Sequence, residues 1–125
     1  MNVVIDLDGT ITAAPVAFEA LMRSLMKSGH SVYVLTGAID PSSPGAKTEM
    51  RMEQLAVFGL HKDVHYTEVH VFVDRDVNVI SRLKADFCRD NDVSIFIDDS
   101  KRYLEAVMIR SPKTLRLRPH VVGAD

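Results

Sequence analysis

Val3-Val4-Ile5-Asp6-Leu7-Asp8-Gly9-Thr10 stands almost at the start of the chain and constrains its fold more than any other segment. A short β-branched run that ends in two acids one residue apart predicts a buried parallel strand, with carboxylates delivered to the mouth of a site. Side chains alternate along a strand, so Asp6 and Asp8 are expected on one side with Leu7 on the other. Two like charges so close destabilise each other. They invite a divalent cation, and hard oxygen ligands suit magnesium.

The rest of the chain alternates between strand and helix patterns. Asn2–Leu7 reads as the first strand. Pro15–Ser28 follows at helical spacing, with Phe18, Leu21, Met22, Leu25 and Met26 on one stripe, Pro15 suited to a first turn and Gly29 to a stop. Ser31–Leu35, Val69–Val73 and Ser94–Ile97 read as further strands, and Leu115–Leu117 as a weaker fifth. Pro41–Gly45 is a loop of turn formers. Helices are predicted over Ala46–Phe58 and over Val77–Arg89 with Asp76 as cap. A shorter one follows Ser100 and carries Tyr103, Leu104 and Val107. Such alternation implies an α/β fold with a mostly parallel five-stranded sheet between helix layers. Ligands of these sheets bind beyond the carboxyl ends of the strands, near the point where the strand order reverses.

Two more strand ends carry chemistry. Val32-Tyr33-Val34-Leu35 runs into Thr36-Gly37, a hydroxyl and a bare backbone suited to a phosphate oxygen. Ile97-Asp98-Asp99-Ser100 again ends an apolar strand in acids; matched with Asp6 and Asp8 on a neighbouring strand, one of these completes a metal site with Asp6, Asp99 being slightly preferred, while the other acts through water or orients a ligand. A cluster of carboxylates and a phosphate needs more positive charge than one divalent ion supplies. Lys84, on the helix feeding the fourth strand, is the candidate, with Arg82 and Lys101 as rivals.

Composition narrows the class. A chain of 125 residues, 46% hydrophobic, predicts one domain over residues 1–125 with a real core. A net charge of −2 gives no global attraction to nucleic acid or membrane. Cys88 is the lone cysteine, so no disulfide framework forms within the chain, in keeping with a cytoplasmic protein. No basic leader and no membrane-length apolar run are visible.

Asp6-Leu7-Asp8-Gly9-Thr10, Thr36, Lys84 and Asp98-Asp99, in this order, resemble the haloacid dehalogenase superfamily of phosphohydrolases. The resemblance implies a Rossmann-like fold with the first strand central and a magnesium-dependent phosphomonoesterase. Asp6 would be the nucleophile, forming an aspartyl-phosphate. Asp8 would transfer protons and bind the metal through its backbone carbonyl. Thr36, Gly37 and Lys84 would hold the phosphoryl group, and Asp6, Asp8, Asp98 and Asp99 would surround Mg2+. The chain leaves no room for a cap domain, so the site is expected to be open to a small phosphorylated molecule or a polynucleotide end. The motif style is similar to that of polynucleotide kinase phosphatase domains and 5′-nucleotidases. Where those relatives often place an arginine, this chain has Ala38: either the contact is missing, or Lys47 or Arg51 replaces it from the next helix.

Two competing functions bear on the same residues. A signalling receiver domain carries its acidic pair and its phosphorylated Asp on the first and third strands, an order this chain lacks. A catalytically idle protein that keeps the fold as a binding or regulatory module is the alternative to the phosphatase. Arg110–His120, with Arg110, Lys113, Arg116 and Arg118 and no acid, reads as an edge strand's solvated face rather than a nucleic-acid track. His65, His70 and Cys88 are expected to be structural, and an oligomer stays open.

Overall fold

The structure, a computed structural model, describes residues 1–119. Its order is β1 (Asn2–Asp6), α1 (Pro15–Lys27), β2 (Ser31–Ala38), α2 (Thr48–Val57), β3 (Glu68–Val73), α3 (Val77–Asp90), β4 (Val93–Ile97), α4 (Lys101–Arg110) and β5 (Leu115–Leu117). The five strands form one sheet in the order β3-β2-β1-β4-β5, and every pairing is parallel. The α/β, three-layer arrangement is therefore as the strand–helix alternation predicts, with β1 central. No helix among the described residues is long and apolar enough to cross a membrane.

Two apolar layers hold the sheet, and the two-residue period of the strands sorts side chains between them. Val3, Ile5, Val32 and Val34 face α1 and α2, where Phe18, Met22 and Leu55 meet them. Val4, Leu35 and Phe96 face α3 and α4, against Ala85, Cys88, Leu104 and Val107. Along β4 the period breaks once. Asn2 pairs with Val93 but Val3 with Ile95, so Ser94 is an extra residue. This bulge lets Val93 and Phe96 share a face although they are three apart.

Local chemistry sets the helix starts. The Asp76 side chain accepts from the Asn78 amide at 2.9 Å, and Ser100 accepts from that of Tyr103 at 3.5 Å. Two boundaries and one side chain depart from the sequence reading here. β2 runs on to Ala38, because β3 pairs with it residue by residue as far as Val73. α2 begins at Thr48, since Pro44–Ala46 closes a tight turn and Lys47 is extended. Leu21, expected on the buried stripe of α1, is 41% exposed, while Phe18, Met22, Leu25 and Met26 pack into the core as expected.

Candidate functional site

β1 and β4 are neighbours whose connections leave in opposite directions across the sheet, so the strand order reverses between them. Their carboxyl ends carry Asp6 and Asp98-Asp99. Asp6, Asp98 and Asp99 each offer a carboxylate oxygen, and these atoms lie within 4.8 Å of one another. Lys84 reaches them from the middle of α3. Its Nζ donates to Asp6 Oδ1 at 2.9 Å and to Asp98 Oδ2 at 3.2 Å. The ammonium is buried, and the Tyr103 ring lies 4.1 Å from it.

Burial governs the charges here. It pushes the Asp6 carboxyl from 3.8 up to about 7, against the pull of Lys84 and with a further push from Asp98. It raises Asp98 too, again opposed by Lys84. Burial by itself would lower Lys84, but Asp6 and Asp98 together outweigh it and hold the ammonium protonated. Three carboxylates against one ammonium leave two negative charges, which one divalent cation would balance. The donor set, all hard oxygens, fits such a cation.

The turn after β1 is shaped around this cluster. Gly9 has φ +80, and a Cβ there would lie 2.5 Å from Asp99 Oδ2. Only glycine lets the turn approach that carboxylate. The buried Thr10 hydroxyl lies 3.1 Å from Asp6 Oδ2 and 3.2 Å from Asp99 Oδ1, and accepts from the Asp99 amide at 3.1 Å. It therefore ties the end of β1 to the end of β4.

Asp8 stands apart. β1 ends at Asp6, and Leu7–Ile11 coils into a helical turn, so strand alternation no longer places Asp8 beside Asp6. Asp6 meets Lys84 from one helix layer, while Asp8 meets Arg51 from the other, Nη1 to Oδ2 at 3.1 Å. The Thr36 hydroxyl lies 3.4 Å from the same Asp8 oxygen. The carboxylate of Asp8 is thus outside the cluster formed by the Asp6, Asp98 and Asp99 carboxylates. Gly37, expected to offer a bare backbone to a phosphate oxygen just past the strand, stands within β2 in register with Phe72. A Cβ on it would come within 2.8 Å of Ile80, so its bareness serves the packing of α3. Of the two basic residues considered near Ala38, Arg51 is the one whose contacts reach the site. It donates to the Gly37 carbonyl at 3.2 Å and the Gly45 carbonyl at 2.8 Å; Lys47 is exposed.

Sequence reasoning gave no role to Thr10, Tyr103 or Gln54, whose amide is 3.5 Å from Asp8 Oδ1. Nor did it bring in Arg118, which donates from Nε to the Asp99 carbonyl at 3.1 Å. Arg118 was visible in the basic run at the end of the chain, but only the position of β5 beside β4 takes it to the rim. His120, the end of that run, lies outside the described residues.

The fold is similar to that of a universal stress protein. A crystal structure of such a protein in complex with cAMP matches with a TM-score of 0.58 at 14% identity, over 96% of each chain. At that identity the likeness is one of fold. No protein-family model matches the chain, and no curated protein does. The resemblance to haloacid dehalogenase phosphohydrolases is therefore corrected: the comparison of folds leads to a universal stress protein. The phosphomonoesterase activity rested on that resemblance and falls with it, as do the nucleophilic role of Asp6 and the proton transfer by Asp8. Asp6 Oδ1 accepts from Lys84 and Oδ2 from Thr10.

Proposed function

We propose that this chain is a binding protein for a phosphorylated small molecule of the nucleotide class, taken up together with a divalent cation at the rim between β1 and β4. The observation that carries the reading is the convergence of Asp6, Asp98 and Asp99 on one small volume at the carboxyl end of the sheet, beside a buried Lys84. That is where open parallel sheets receive their ligands. A structure of similar fold holding cAMP supports the nucleotide class.

Asp99, the least buried of the three acids, would be the direct ligand, with Asp6 and Asp98 completing the donor set. A hard cation such as Mg2+ would neutralise the acids and draw in phosphate oxygens. Lys84 keeps Asp6 and Asp98 from repelling each other. Thr10 fixes Asp99, and Arg51 and Arg118 bring positive charge to either flank.

Calorimetric titration with ATP, ADP, AMP and cAMP, in Mg2+ and then in EDTA, tests the reading. Binding should weaken by about tenfold or more on removing the cation or in Asp99→Asn, and chromatography should recover the nucleotide intact. Failure of the whole panel to bind would overturn the nucleotide, and equal affinity in EDTA would overturn the cation. Steady release of inorganic phosphate over many turnovers would overturn the binding role.

A further inference from the structure

At the opposite end of the sheet, where β4 and β5 begin, lies a cavity of about 470 Å³. Its size falls among small-molecule sites, which span roughly 300–1,000 Å³. The floor holds Val93 and the Cys88 thiol, which burial pushes up to about 12 and so keeps neutral. The lining carries three cations, Arg89, Arg110 and Lys113, against one acid, Asp92. Arg89 pairs with Asp90 and Asp86, and Arg110 with Asp86, while Lys113 has no ion pair among the described residues.

Negative character is present in the lining as well. α3 ends at Asp90 and α4 at Arg110, so both helices turn their carbonyl ends toward this region, which favours a positive group. Asp92 adds a carboxylate. The Thr114 hydroxyl donates to the Val93 carbonyl at 2.8 Å, so its 2.7 Å bond to Ser111 must use the Ser111 hydrogen. Ser111 Oγ then offers only lone pairs, and it accepts rather than donates.

We infer that this cavity binds a small zwitterion of the amino-acid class, its carboxylate on Lys113 and the free N–H groups of Arg89 and Arg110, its ammonium on Asp92 and Ser111. A plain anion would leave the acceptors without partners, and a plain amine would leave the cations so. The site is independent of the acid rim and needs no metal.

Amide NMR and thermal shift with a panel of free amino acids at millimolar concentration provide the test. Matching plain carboxylates, plain amines and inorganic phosphate serve as controls. Some amino acids should perturb Asp92, Val93, Lys113 and Thr114, equally with Mg2+ and EDTA. Lys113→Glu and Asp92→Asn should each weaken that binding about tenfold. Both variants keep the fold, since Lys113 is exposed and asparagine tolerates the φ of +46 at position 92. Silence across the amino acids, equal binding of a plain carboxylate or phosphate, or indifference to both substitutions would overturn the proposal.

Discussion

Lys84 shows how much one side chain decides here. Buried lysines are rare, and this one is held by two acids that are themselves nearly buried. Breaking such a group is costly because the partners keep their charge in a poor solvent. Lys84→Met should therefore destabilise the metal-free protein by about 3–5 kcal/mol in urea titration. A loss below about 1 kcal/mol would mean that the acids are already neutral. Gly9 is the second sensitive point. Gly9→Ala forces a left-handed residue and a contact with Asp99, so stability should fall by about 1–2 kcal/mol. Mg2+ affinity should fall with it; a neutral substitution would show that the turn does not approach the carboxylate. Of these residues, Asp6, Asp98 and Asp99 were legible in the sequence because each stands at or just past the end of an apolar strand, and Lys84 because clustered acids need a cation from the helix before β4. Asp8 was not, since the coil that removes it from the strand depends on how Leu7 and Ile11 pack.

At the scale of elements, α1 is anchored to the loop before β3 by charge as well as by apolar contact. Glu19 pairs with Arg23 at 2.9 Å and with His65 at 2.6 Å. Hydrogen bonds from Arg23 first and His65 second bring its carboxyl from 4.5 down to about 2. A folded value below the unfolded one stabilises the protein above the unfolded value, and that contribution fades as pH falls toward the folded one. The melting-temperature gap between the native chain and Glu19→Gln should thus hold steady above pH 4.5 and close toward pH 2. The gap is small because Glu19 is open to solvent. A gap that widens in acid would contradict the pairing. The elements themselves were readable from apolar spacing, apart from the far end of β2. Thr-Gly looks like a turn in isolation, and only the partner strand β3 keeps Thr36 and Gly37 extended.

In the molecule as a whole, the central position of β1 ties stability to the rim. The strand is paired on both edges and covered on both faces, so the acid at its end has little freedom. Phe96, fully buried on the neighbouring strand, tests this layer: Phe96→Ala should cost about 3–5 kcal/mol in urea unfolding. A cost below about 1 kcal/mol would place the core elsewhere. By itself the sequence determined the strand–helix alternation, the parallel sheet and the acids at two strand ends, because hydrophobic period and residue chemistry are local. Only the tertiary structure decided that the acids converge between β1 and β4, that Asp8 turns to Arg51, and that α3 and α4 end over a cavity. Those facts depend on which strands become neighbours, and strand order is set by packing between segments far apart in the chain.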